Sequence, residues 1–140
     1  MKTTQLSYIS TAKSGLKKED FVTILDKAIT SNSAIGVTGI LVYCNGFFFQ
    51  ILEGETDKVM KLFNKITLDH RHENVVKLQH NQVGSRVFDR WNMAFKSYNT
   101  SLKTLDNFTD DEYFPYLSKM TNEENSVTLR LLSDFFRLNS

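Results

Sequence analysis

Two side chains with hydrogen-bonding chemistry sit inside apolar surroundings. Gln50 interrupts the run Phe47, Phe48, Phe49, Ile51 and Leu52, and Tyr8 lies in the short strand candidate Gln5 to Ser10. A carboxamide brings two donor hydrogens and an acceptor oxygen, a phenol one donor and its lone pairs. Burying such a group unpaired costs roughly 1–3 kcal/mol, so something polar must sit against Gln50. Asn32, following Ser31 near the end of an apolar helical stripe, is a second amide. Taken singly, Tyr8 reads as an ordinary strand tyrosine, Gln50 as a structural buried amide and Asn32 as a helix cap. Taken together, a phenol, a carboxamide and an asparagine facing one apolar slot suit a flat heterocycle with a polar edge.

Enzyme chemistry is poorly represented. The chain has no glycine-rich dinucleotide loop, no phosphate-binding loop with its lysine, no H-E-x-x-H and no G-x-S-x-G. His70 and His72 flank Arg71, but an i, i+2 pair does not share a helical face, and Cys44 is far off in sequence. Those histidines read as a hydrogen-bonded helix terminus, and no metal site is expected.

The elements that must hold these residues follow from periodicity. Gly36 to Glu55 contains Asn45-Gly46 between two apolar runs, the signature of a two-residue type I′ hairpin joining Val37–Cys44 to Phe47–Leu52. Strand alternation puts Phe48, Gln50 and Leu52 on one face and Phe47, Phe49 and Ile51 on the other. Both faces are apolar, as in a central strand covered on both sides. Before the hairpin, Phe21, Ile24, Leu25, Ala28 and Ile29 recur at helical spacing from Lys18, with the helix expected to end around Ser31-Asn32-Ser33. After it, Val59, Leu62, Phe63 and Ile66 mark a helix from about Thr56 to Asp69. Asn74 to Gln82 reads as a fourth strand, with Val76, Leu78 and His80 on one face. Phe88 to Lys96 reads as a fifth, in which Trp91 and Met93 share a face.

The fold class is therefore α+β, in the order β-α-β-β-α-β-β. Its first six elements form the ferredoxin-like pattern. A five-stranded mixed sheet is expected, with two helices on one face. Tyr113 to Met120, and the helix opened by the Thr121-x-x-Glu124 capping box, are expected to cover the other. Residues 1–98 form the expected core domain and 99–140 a C-terminal helical extension. Tyr8, Gln50 and Met93 can then all face the helices, with Asn32 closing one end of the crevice.

At this point the chain resembles the BLUF family, the blue-light sensors using flavin. The resemblance covers roughly residues 4–98. It rests on S-Y-I-S at 7–10, N-x-x-x-G-V-T-G at 32–39, F-F-Q-I-L-E-G-E at 48–55, D-x-R-H at 69–72 and W-x-M at 91–93. It implies a non-enzymatic photoreceptor holding oxidised flavin between the two helices. The cofactor implied is FAD, with FMN and riboflavin as alternatives. Tyr8 matches the photoactive tyrosine, Gln50 the switching glutamine and Asn32 an asparagine bonded to the ring's polar edge. Ile24, Leu41, Phe48 and Ile66 match apolar walls, Asp69, Arg71 and His72 positions at the ring's far side, and Trp91 and Met93 the pair that relays the switch. Ser31 and Lys65 depart from the asparagine and arginine that many members carry there, at positions that contact the flavin's pyrimidine side.

Composition agrees with this reading without demanding it. A chain of 140 residues is enough for one domain with a real core. A formal net charge of +1 argues against strong, unselective nucleic-acid binding. One cysteine makes no internal disulfide, and no apolar run spans a bilayer, so a cytoplasmic protein without membrane contact is expected. The expected partners are the flavin, an unidentified downstream protein and a second copy of the chain. The output would leave through another protein or self-assembly, because 140 residues hold no fused effector. Two other readings are a BLUF-like interaction module that no longer signals and a single-stranded nucleic-acid binder on a similar sheet. The latter lacks the basic flanks its aromatic run would need.

Overall fold

The structure, a computed structural model, describes residues 3–44, 46–86 and 94–98. Its elements are β1 (Thr3–Ala12), α1 (Lys18–Ile35), β2 (Thr38–Cys44), β3 (Phe47–Glu55), α2 (Thr56–Thr67), β4 (His72–Val83) and β5 (Ala94–Tyr98). The strands lie in the order β4-β1-β3-β2-β5. The first four pair antiparallel, and β5 runs parallel to β2. β1 and β2 point the same way with β3 inserted between them, the split βαβ arrangement expected from the element order. β3 is the central strand, as its two apolar faces required, and all but its first and last residues are buried.

The helices pack on one side of this sheet. Phe21 of α1 and Val59 and Phe63 of α2 share a core with Leu6, Tyr8, Leu41, Phe48 and Leu52. Phe21, Tyr43 and Phe48 form an aromatic trio with centroids 4.8 to 5.9 Å apart. On the opposite side Ile40, Val42, Phe49 and Ile51 are almost wholly buried. Phe47 departs from its expected place among them: at the hairpin end of β3 it is exposed. The C-terminal helices expected on this face lie outside the described residues, as does Asn45 of the hairpin turn. Gly46 carries the positive φ, 85°, that the turn requires.

Several boundaries differ from expectation: β1 and β3 run longer, and β5 is described at Ala94–Tyr98, the start of the expected Phe88–Lys96 lying outside the described residues. α1 continues past Ser31-Asn32-Ser33 because its stop signal is Gly36, left-handed at φ 70°. The Val37 and Gly36 amides donate to the Asn32 and Ser33 carbonyls at 2.9 and 3.3 Å, the two bonds of a Schellman motif. Asn32 is therefore a residue of the last helical turns and not a cap. α2 ends at Thr67, two residues early, and His72 opens β4 instead of closing the helix. In β4 the expected apolar face is the open one: Val76 and Leu78 are exposed while Gln79 is buried. Register shifts between Ser7 and Tyr8 and between Ile9 and Thr11 break the simple alternation along that edge.

One glycine fixes how closely β2 and β3 approach. A Cβ on Gly39 would lie 1.8 Å from the Ile51 carbonyl oxygen, so no side chain fits there without moving the strand that carries Gln50.

Candidate functional site

Between α1, α2 and the sheet lies a cavity of about 1000 Å³. Its floor is set by strand register. Tyr8 stands directly opposite Gln50 in the β1–β3 pairing, and Leu41 opposite Gln50 in the β2–β3 pairing. A one-residue slip of β3 would send Gln50 to the far face. The Tyr8 hydroxyl donates to Gln50 Oε1, and both side chains are buried. The polar partner that Gln50 required is thus the tyrosine itself.

The surroundings hold the phenol in place. Phe63 and His72 lie against the Tyr8 ring, with centroids 5.7 and 6.2 Å away. His72 Nε2 is 2.6 Å from the Ile66 carbonyl, which only accepts, so Nε2 carries the hydrogen. In the neutral ring Nδ1 is then the acceptor, and Ser10 Oγ donates to it at 2.8 Å. One imidazole therefore ties β1 and β4 to the end of α2. Burial, with the Asp69 charge second, pushes the Tyr8 phenol well above the usual tyrosine range, so it stays a neutral donor.

Asp69 has its own clamp. Burial alone would raise its carboxyl. The Arg71 amide at 2.9 Å and guanidinium Nε at 3.1 Å, with the Arg71 and His72 charges, outweigh that and hold it below the usual carboxylate range. The pair lines the cavity as a largely self-compensated charge.

All twelve of the residues singled out from the sequence within the described region come together here. Tyr8, Gln50, Ser31, Asn32, Ile24, Leu41, Phe48, Lys65, Ile66, Asp69, Arg71 and His72 all line the cavity. Trp91 and Met93 lie outside the described residues. Sequence reasoning passed over Lys27, Lys58, Lys61, Leu62 and Asn64, which also line it. Leu62 was read only as core. Of the lysines, positions 58, 61 and 65 recur at helical spacing beside Leu62 and Ile66. Among the described residues no cluster of three histidine, cysteine or acidic side chains could hold a metal ion. No described helix is long and apolar enough to cross a membrane.

The donor set fits a flat, polar-edged heterocycle. Ile24, Leu41, Phe48, Leu62 and Ile66 give the cavity apolar walls, and the buried amides of Asn32 and Gln50 can provide directional polar contacts.

The chain is similar to known proteins. Residues 3–94 match the model of the family described as BLUF, sensors of blue-light using FAD. Photoactivated adenylate cyclase subunit beta of Euglena longa is 36% identical over 85 residues, 61% of this chain but 10% of that protein. The chain thus spans only about a tenth of that relative's length. The structure titled BlsA photo-activated state superposes with a TM-score of 0.68 at 28% identity, covering 87% of this chain and 97% of the other. A Klebsiella pneumoniae BlrP1 complex with calcium and cyclic diGMP gives 0.75 at 29% identity, covering 95% of this chain and 33% of the other.

Proposed function

The chain belongs to the BLUF family of blue-light sensors, a sensory module and not a catalyst, and from that premise we propose that it binds an oxidised flavin and switches by rearranging Gln50. The observation that carries this is the buried Tyr8–Gln50 hydrogen bond in the cavity wall. Asn32, Ser31 and Lys65 would hold the ligand's polar edge, and Ile24, Leu41, Phe48 and Ile66 its faces, with Asp69, Arg71 and His72 at the far end. FAD is the form the family description names.

When bound, the flavin supplies the visible chromophore and, once excited, a strong one-electron oxidant. Tyr8 is built to respond. As a ground-state phenol it keeps its proton, but losing an electron makes its hydroxyl strongly acidic, and the acceptor already in hydrogen-bond contact is Gln50 Oε1. Return of the electron and proton to Tyr8 restores the phenol without any covalent change. What persists is the carboxamide, rotated or in its other tautomer, presenting a different donor pattern to the cavity. One rearranged hydrogen bond amounts to roughly 0.5–1.5 kcal/mol, enough to shift a poised two-state element by about tenfold at most. We assign that element to β5, to Trp91 and Met93 ahead of it in sequence, and to residues 99–140, acting on a partner protein.

The test is an absorption spectrum of the purified protein in the dark and after blue light. A flavin spectrum that shifts to longer wavelength and returns in the dark is expected. Bound flavin with no shift would reduce the chain to a non-signalling module. Hydrogen exchange over residues 99–140 that is the same in dark and light would send the output by another route.

A further inference from the structure

The imidazole beside Tyr8 is anchored by a residue that takes no part in the cavity wall. Ser10 is buried and does not line the cavity. It stands two residues from Tyr8 on the same face of β1, opposite Phe48 as Tyr8 is opposite Gln50. Its hydroxyl donates to His72 Nδ1, while His72 Nε2 donates to the Ile66 carbonyl. One hydrogen bond pins a single atom and leaves a ring free to swing about the N–H···O axis. Two, at different ring nitrogens, fix its plane. That plane lies 76° from the Tyr8 ring and 79° from the Phe48 ring, at centroid distances of 6.2 and 6.3 Å. The seat of the phenol thus depends on how the imidazole is turned, and this depends on Ser10. The backbone does not supply the constraint in its place. Between the Tyr8–Lys77 and Ala12–His72 pairings the β1–β4 ladder shifts register, and Asn74, within that shift, takes a left-handed φ of 53°.

We propose that Ser10 is a positioning residue of the switch: through His72 it keeps the Tyr8 phenol within hydrogen-bond reach of Gln50, and so sets how long the rearranged amide persists in the dark. The proposal rests on the flavin reading above and adds a residue outside the cavity that governs its kinetics. While Gln50 Oε1 faces the phenol as a carbonyl, Tyr8 donates. Once the amide has rotated, or carries a proton on oxygen as its tautomer, the group facing the phenol is a donor and Tyr8 must accept. Both states need the phenol oxygen in the same place, and a buried group that drifts off its partner loses the bond without a replacement. Return to the dark state begins by breaking the bond that the rearranged amide donates. A loosely seated phenol weakens that bond, so the amide returns sooner.

The experiment compares wild type, Ser10→Ala, Ser10→Thr and Thr4→Val as flavin-loaded proteins. Thr4→Val removes another buried hydroxyl of β1, bonded to Thr56 Oγ1 at 2.6 Å, and controls for lost stability. Two quantities are read: the rate of dark return after blue light, and the imidazole nitrogen resonances by NMR, with His72 assigned through His72→Gln. Ser10→Ala is expected to return about threefold or more faster than wild type, and to move the His72 Nδ1 resonance as that acceptor loses its donor. Ser10→Thr, which keeps a hydroxyl, should bring both back toward wild type. Thr4→Val should change neither, even where it lowers the urea midpoint. A Ser10→Ala protein with the wild-type return rate would overturn the proposal and leave the flavin reading standing, as would a Thr4→Val protein accelerated to the same degree. An unmoved Nδ1 resonance in Ser10→Ala would likewise overturn it, since Ser10 would then not hold the ring. A wild-type protein that retains no flavin, or shows no red shift, would sink the flavin reading and the proposal with it.

Discussion

On the same two strands, two polar pairs stand three residues apart and face opposite ways. Tyr8 opposes Gln50 on the helix side, and Gln5 opposes Glu53 on the other. Gln5 Nε2 donates to Glu53 Oε2 at 2.8 Å, with both side chains fully buried. Gln79 Nε2 reaches Gln5 Oε1, and Ser7 Oγ reaches Gln79 Oε1, each at 3.5 Å. Polar side chains therefore link β3, β1 and β4 across the far face. By sequence type, burial and hydrogen bonding, the two pairs are nearly equivalent. What separates them is the volume beside them: the Tyr8–Gln50 pair forms the wall of a cavity of about 1000 Å³ and the Gln5–Glu53 pair does not. A buried polar pair packed among side chains fixes register; one bordering a cavity has room to rearrange and a ligand to answer to.

The largest effects should come from the cavity side, in the signal. Tyr8→Phe keeps the ring packed against Phe63 and His72 but removes the electron and proton donor. Gln50→Leu removes the amide that reorganises. Each variant is expected to bind flavin and to lose the whole red shift, and to cost about 1–3 kcal/mol in unfolding because its buried partner loses a hydrogen bond. A normal red-shifted state in either would strip that residue of its assigned role.

Next in size is the far side, where the effect should be on stability alone. Gln5→Leu leaves the buried Glu53 carboxyl without its amide donor and should cost about 1–3 kcal/mol in a urea titration. The red shift should persist, because Tyr8 and Gln50 keep their register through the backbone ladder. A Gln5→Leu protein of wild-type stability that no longer shifts would break the comparison: the far-face chain would then belong to the switch.

The two faces also differ in how much the sequence disclosed. The hairpin, the central strand and the cavity-side pair follow from a period of two and from one amide in a phenylalanine run, signals carried by neighbouring residues. The far-face chain depends on strands distant in sequence. Gln79 is buried where it pairs with Ser7 of β1, and no local pattern around Val76 and Leu78 announces that. Glu53 looks like a polar residue near a strand end until Thr38 and Gln5 are found on either side of it. The end of α1 was misplaced because Ser31-Asn32-Ser33 has turn-like composition, whereas the backbone needed Gly36. The cavity lysines were unreadable for a simpler reason: a charged helical face looks the same whether it meets water or a ligand.

The smallest expected effect concerns Asp69, where the cavity side touches the electrostatics of folding. Its carboxyl is held below the ordinary value because, although burial opposes it, Arg71 and His72 favour the charged form. A folded-state value lower than the unfolded one means that the carboxylate stabilises the fold above the ordinary aspartate range. That contribution is lost as the pH falls through the depressed folded value. The side chain is 30% exposed and the ion pair partly screened, so the gain should stay below about 1 kcal/mol. Asp69→Asn removes the titration but keeps the shape and an acceptor for the Arg71 amide. Urea midpoints of the two flavin-loaded proteins should differ slightly at neutral pH, with wild type the more stable, and converge once the pH has fallen below the ordinary aspartate range. A difference that stays constant from neutral to below that range would mean that Asp69 acts through packing or ligand contact, and that its charge does not bear on the fold.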